Sequence, residues 1–156
     1  MRNKELNIHE IKEKLAYYCA YQDRCHQEVE KKLNEFFLIP EARDEILLYL
    51  MRENFLNEER FARSFARGKF YQKSWGRIKI TQELKKRYLN NLLITKGLSE
   101  IDENDYLKEA KRLIENKIGQ LKENNLYKRN QKVIRFMLQK GYEYEIIQSI
   151  LQEESF

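Results

Sequence analysis

An apolar pair spaced four residues apart recurs three times in this chain, at Val29/Leu33, Ile80/Leu84 and Ile134/Leu138, and its leucines lie 51 and 54 residues apart. Four-residue spacing marks one face of a helix. Each pair has basic residues around it and falls in the middle one of three consecutive helical patterns. A period of about fifty residues is that of a helical array, whose units stack because none can bury its apolar face alone. The chain has one proline, Pro40, and five glycines in 156 residues, with abundant Lys, Glu, Leu and Ile. So few breakers among so many helix formers predict an all-α fold.

The flanking patterns line up with that period. Ile8, Ile11, Leu15, Tyr18 and Cys19 share a helical face, interrupted by Asp23-Arg24-Cys25. Val29, Leu33 and Phe36-Phe37 give a second helix. Pro40 suits the first turn of a third, where its missing N–H costs nothing, and that helix carries Ile46, Leu47, Leu50 and Met51. Asn57 is a good N-cap for a fourth helix running to about Gln72, with Glu58 and Glu59 favouring its positive end. A fifth runs from about Trp75-Gly76 to Tyr88, closed by Asn90-Asn91. Leu92 to Ile94 read equally as a short helix or a brief extended piece. Tyr106, Ala110, Leu113 and Lys117 mark the next helix; Val133, Ile134, Met137 and Leu138 another, ended by Gly141; Ile146, Ile147, Ile150 and Leu151 the last. The expected units are 1–54, 55–102 and 103–156.

No apolar run approaches the length of a membrane span, and MRNKELNIHEIKEKL lacks the apolar centre of a signal peptide. The reading is a cytoplasmic protein with no membrane partner. Cys19 and Cys25 are read as reduced thiols, the first in the core and the second in a turn. With His9 and His26 as the only histidines, a zinc site lacks plausible ligands. There is no phosphate-cradling glycine loop and no HExxH. Neighbouring Cys25 and His26 at a helix start point in different directions, which speaks against a thiol–imidazole pair. No catalytic residue, metal or cofactor is expected.

Charge is distributed unevenly. Residues 1–59 hold 9 basic and 13 acidic side chains, residues 60–96 hold 11 and 1, and residues 97–156 hold 10 and 11. The whole net charge of +5, and more, sits in the middle of the chain. A localised basic block is an electrostatic footprint for a polyanion or an acidic protein surface. On the helix after Asn57, Phe61, Phe65 and Gly68 share one face, which reads as core rather than a base-stacking platform. Arg60, Arg63, Arg67 and Tyr71 share another, read as outward: a contact stripe or a solvated face. On the next helix Ile80, Leu84 and Tyr88 face inward, and Lys79, Gln82 and Lys86 outward, flanked by Lys85 and Arg87. Trp75, at the turn, is a core plug between units or a contact residue.

Phe55-Leu56-Asn57-Glu58-Glu59-Arg60-Phe61-Ala62-Arg63-Ser64-Phe65, then Gly76-Arg77-Ile78 and Gln82-Glu83-Leu84, resembles the central signature of the RecX family, regulators of the RecA recombinase. Asp23-Arg24, Glu28-Val29 and Lys32-Leu33 resemble its first unit. Arg135-Phe136-Met137-Leu138, Lys140-Gly141-Tyr142 and Ile146-Ile147 resemble its last. Cys25 stands where a serine is usual, the usual glycine after the middle helix of the second unit is replaced, and residues 92–104 depart from the pattern. The resemblance implies an elongated, curved array of three three-helix repeats. It also implies a non-enzymatic, cytoplasmic bacterial modulator, usually an inhibitor, lying along the groove of the RecA–DNA filament. The partners it implies are the RecA filament and single- or double-stranded DNA, met by a monomer. The expected contact residues are Arg60, Arg63, Arg67, Tyr71, Lys73, Arg77, Lys79 and Lys86. The competing reading is a stand-alone helical nucleic-acid-binding protein such as a helix-turn-helix regulator, which predicts one recognition helix and dimerisation.

Overall fold

The computed structural model describes residues 7–153. The first six residues, part of the segment read as lacking a leader, lie outside them. The described residues form nine α-helices and no strand: α1 (Ile8–Tyr21), α2 (His26–Leu33), α3 (Pro40–Arg52), α4 (Glu58–Lys73), α5 (Arg77–Lys86), α6 (Asn91–Leu98), α7 (Glu103–Gln120), α8 (Leu126–Lys140) and α9 (Tyr144–Glu153). They pack as three successive triplets, α1–α3, α4–α6 and α7–α9.

Local chemistry sets the boundaries. Asn7, Asn57, Asn90, Asp102 and Asn125 each accept a hydrogen bond from the backbone N–H three residues on, at 2.8–3.0 Å, and so cap α1, α4, α6, α7 and α8. Pro40 opens α3 at its first turn. Cys25 precedes α2 without capping it; its thiol donates to Glu28 at 3.4 Å. The residues left open between extended and helical, Leu92 to Ile94, lie inside α6.

Helix ends explain where the inward faces fall. At the end of α5, Leu89 N–H bonds the carbonyl of Leu84 and Tyr88 N–H that of Lys85, with Tyr88 left-handed at φ 63°. At the end of α8, Tyr142 N–H bonds Met137 and Gly141 N–H bonds Leu138, with Gly141 at φ 95°. In this closing motif the residue after the left-handed one packs on the residue five positions back, which must therefore face inward. Leu84 meets the requirement and is fully buried; in α8 the residue in that place is Met137. The buried pair of the third triplet is accordingly Val133/Met137, one residue before the expected Ile134/Leu138, and Leu138 is exposed. Tyr88 corrects a second expectation. It lies beyond the helix and is 83% exposed, and Leu89 fills the inward place. Likewise α2 stops at Leu33, so Phe37 is not on a helical face and stands in solvent.

The face of α4 is also rotated from the expected one. Phe61, Ala62, Ala66 and Phe70 are buried, Phe65 is half-buried, and Gly68 does not face the core. The reason is α6. A Cβ on Gly97 would meet the Ala62 carbonyl oxygen at 2.7 Å, so small residues bring the two backbones together.

Two apolar cores result. Ile11, Leu15 and Cys19 pack with Val29, Leu33, Ile46 and Leu50 in the first triplet. A second, continuous core runs through the other two, from Phe61, Ile80 and Leu84 to Tyr106, Ile114, Met137 and Ile147, and takes in Cys25 from the turn before α2.

Candidate functional site

The basic block lies on the second triplet, but folding surrounds it with acids from elsewhere in the chain. Arg60 pairs with Asp23 at 2.7 Å and donates to the Phe55 carbonyl. Arg63 meets Glu59 at 3.3 Å, Glu100 at 3.7 Å and the Ser99 hydroxyl. Arg67 meets Glu100 at 3.2 Å, and Lys96 meets Glu59 at 2.8 Å. The Lys96 hydrogen bond, with help from Arg63, holds the Glu59 carboxyl below its ordinary range. Tyr71 donates to Asp105 at 2.8 Å, which pushes its phenol up. The stripe Arg60–Arg63–Arg67–Tyr71 is thus a seam between helices, with its charge largely matched.

Arg77 is engaged more deeply. Its guanidinium lies 3.9 Å from the Tyr106 ring centre and pairs with Glu143 at 2.9 Å and with Glu103. Its backbone N–H donates to the Tyr106 hydroxyl, which in turn donates to Glu143. Tyr106 stacks on Tyr142 at 5.0 Å, Tyr142 donates to the Ser74 carbonyl, and Ser74 donates to Glu109. Burial, and for Tyr106 also the Glu143 hydrogen bond, pushes both phenols well above the ordinary range, so they remain neutral donors.

Four basic side chains of the block have no acid partner among the described residues: Lys69, Lys73, Lys79 and Lys85. Two of them are positioned by aromatic faces instead. Lys79 Nζ sits 4.3 Å and Lys69 Nζ 4.8 Å from the Trp75 ring centre. Lys69 also lies over Phe65 at 5.5 Å, and the Arg87 guanidinium over the same ring at 4.9 Å. Phe65 and Trp75 meet edge to face at 6.3 Å. Each such contact contributes about 0.5–1 kcal/mol at an exposed site. Unlike an ion pair, it fixes the ammonium without cancelling its charge. In the ladder Lys79–Trp75–Lys69–Phe65–Arg87 the two lysines keep their field uncompensated in fixed positions, whereas Arg87 also pairs with Glu83 at 3.2 Å. Lys86 pairs with the same carboxylate at 3.2 Å and is exposed.

Of the eight expected contact residues, then, Arg60, Arg63, Arg67, Tyr71, Arg77 and Lys86 hold polar or acidic partners within the fold. Lys73 and Lys79 have no acid partner among the described residues. Lys69, Trp75, Phe65 and Arg87 complete the ladder. Their signal in the sequence is the spacing of Lys69, near the end of one helix, from Trp75 and Lys79 across the following turn. One end of the ladder opens into a cleft of about 940 Å³, lined by Gln22, Asp23 and Glu28 on one wall and by Phe65, Arg67, Lys69 and Arg87 on the other. Cys19 and Cys25 are both buried, and burial pushes each thiol up to about 11. No group of acids, histidines and cysteines among the described residues is arranged to hold a metal.

Comparison with known proteins gives one family. A model of the second three-helix domain of RecX matches residues 57–98, and one of the third three-helix domain matches residues 103–151. The regulatory protein RecX of Clostridium botulinum (strain Alaska E43 / Type E3) is 31% identical over 132 residues, covering 83% of this chain and 61% of that protein. The regulatory protein RecX of Bacillus cereus (strain B4264) is 26% identical over 136 residues, covering 87% of this chain and 50% of its own length. The chain thus spans 50% to 61% of the length of these relatives. Among solved structures, that of RecX from Lactobacillus salivarius matches with a TM-score of 0.85 at 23% identity, covering 94% of this chain and 95% of the other.

Proposed function

Because the chain belongs to the RecX family, we propose that it regulates the RecA recombinase by binding the RecA–DNA filament, as a non-enzymatic monomer in the bacterial cytoplasm. In this reading it tunes or inhibits the recombinase during homologous recombination, repair and the SOS response. Units 1–54, 55–102 and 103–156 act as successive contact modules, and the second makes the electrostatic contact. The observation that carries the reading is the unmatched positive charge of Lys69, Lys73, Lys79 and Lys85 on the unit whose sequence resembles the family signature. Lysines in that setting supply point charge to phosphates or carboxylates. Arg60, Arg63, Arg67, Tyr71 and Arg77 contribute by holding the helices in place, and Lys86 lies at the edge of the contact.

Binding to random-sequence DNA with and without RecA tests this. The expected result is weak, salt-sensitive binding to naked single- or double-stranded DNA and markedly tighter retention on RecA-coated DNA. Equal affinity for bare and coated DNA would instead favour the stand-alone nucleic-acid-binding protein, and no retention on RecA-coated DNA would refute the reading.

A further inference from the structure

The two joints between triplets are built from the same parts with different residues. Where the second triplet meets the third, the residue before α5 is Gly76 and the left-handed residue after α8 is Gly141. The backbones touch there: Gly76 N–H donates to the Lys140 carbonyl at 2.8 Å and Ile78 N–H to the Gly141 carbonyl at 2.9 Å. A Cβ on Gly76 would lie 2.2 Å from Gly141, and one on Gly141 would lie 2.3 Å from Lys79 Cβ. The continuous core and the Arg77–Tyr106–Glu143 cluster complete this joint. Where the first triplet meets the second, the corresponding residues are Cys25, before α2, and Tyr88, after α5. Both carry side chains, and no backbone–backbone hydrogen bond crosses between these two turns among the described residues. Side chains replace it: Gln27 Nε2 reaches the Lys86 carbonyl at 3.3 Å, the Glu58 carboxylate accepts from His26 N–H at 3.2 Å, and Asp23 holds Arg60. The first triplet also keeps its own core, and Cys25 is its one buried residue, among the described residues, that joins the core of the other two.

We infer that this first joint is the hinge of the molecule, and that a single nucleic-acid strand entering the cleft along the lysine–aromatic ladder clamps it. The inference rests on the polyanion-binding reading above and adds to it a site and a consequence. The cleft spans the hinge, with the α1–α2 turn and α2 on one wall and α4 with Arg87, just after α5, on the other. Its acids are already engaged, Asp23 by Arg60 and Glu28 by Arg24, whereas Lys69 at its rim is not. Lys69 and Lys79 lie no farther apart than their distances from the Trp75 ring centre, 4.8 and 4.3 Å, placed end to end. They can thus meet neighbouring phosphates of one strand. A volume near 940 Å³ suits a few nucleotides rather than a duplex. A strand so held touches both walls, and binding then favours the closed joint by its differential contacts.

Amide hydrogen exchange of the intact protein, with oligo(dT) as the probe and no recombinase present, tests both halves. In the free protein, peptides over residues 22–30 should exchange at least about tenfold faster than those over residues 74–80, since the first joint shares only Cys25 with the second core and has no backbone hydrogen bond across it, whereas the other joint has both a continuous core and two such bonds. Saturating oligo(dT) should slow residues 22–30 and leave 74–80 unchanged. Lys69→Gln with Lys79→Gln, which keeps the aromatic stack and removes the charge, should abolish that slowing, while Arg63→Gln, outside the cleft, should retain it. Equal protection of the two joints would overturn the hinge. Oligo(dT) bound without slowing residues 22–30, or slowing that survives Lys69→Gln/Lys79→Gln, would overturn the clamp. So would slowing by a poly-glutamate peptide but not by oligo(dT), which would assign the cleft to an acidic protein. The assay contains no RecA, so a failure of recombinase regulation and a failure of the clamp are separately visible.

Discussion

Replacing Gly76 by Ala tests the tight joint with one methyl group. Gly76 has φ −76°, which alanine adopts freely, so backbone strain is not the issue. The obstacle is space. The added Cβ would lie 2.2 Å from the carbonyl carbon and oxygen of Gly141 and 2.4 Å from the backbone nitrogen of Tyr142. Backbone on the far side of a packed joint cannot move aside as a flexible side chain would. The joint must open by an ångström or more, which stretches the bonds Gly76 N–H to Lys140 and Ile78 N–H to Gly141. Two backbone hydrogen bonds contribute about 1 kcal/mol each, and misfit in the adjoining core adds roughly 1–3 kcal/mol. The expected loss is about 3–5 kcal/mol, read from urea melts followed by helix circular dichroism. Gly68→Ala is the control. It lies inside α4, and a Cβ there meets nothing within 4 Å. It should stabilise by about 0.5–1 kcal/mol through helix propensity. If Gly76→Ala cost less than about 0.5 kcal/mol, the backbone contact would not be holding the joint.

Met137→Ala should cost about 2–5 kcal/mol and Leu138→Ala well under 1 kcal/mol in the same melts, because Met137 is fully buried and Leu138 exposed; the reverse order would restore the face expected from the pairing of Ile134 with Leu138. Cys19 and Cys25 should react with an aromatic disulfide reagent near neutral pH only as fast as the fold opens, since burial pushes both thiols up to about 11; labelling at the rate of free cysteine would show that they are accessible. The same shifts set a pH dependence. In the window from about pH 9 to 11 the unfolded thiols lose protons that the folded ones keep, so stability should fall as pH rises, and urea midpoints that held constant through that window would contradict the burial.

The helical array was legible in the sequence because its signals are local. Asn57 before an apolar run, Pro40 at a first turn and Gly141 at a helix end each act over a few residues, and all three lie where they were expected, whereas Asn90, expected with Asn91 to close the fifth helix, instead caps α6. The third apolar pair was misplaced by one residue because Val133/Met137 and Ile134/Leu138 both have helical spacing. Gly141 decides between them, because the left-handed turn it makes carries Tyr142 back onto Met137, which shares its core. Tyr88 was misread because a bulky residue in a left-handed turn breaks the usual preference for glycine. The charge block shows a different kind of limit. Counting along the chain found one acid among residues 60–96, but Asp23, Glu59, Glu100, Glu103, Asp105 and Glu143 reach those side chains from outside that stretch. Arginines with planar, multi-donor heads found those acids. The lysines held on Trp75 did not, and only the folded arrangement separates the two groups.

The central claim, regulation of a recombinase filament, is tested most directly by ATP hydrolysis by RecA on single-stranded DNA, with this protein titrated in. If the array binds along a filament as proposed, it spans more than one protomer, and half-inhibition is expected well below one molecule per RecA protomer. Lys69→Gln/Lys79→Gln should move that midpoint to higher concentration. Undiminished hydrolysis at a stoichiometric excess of folded protein would contradict the account.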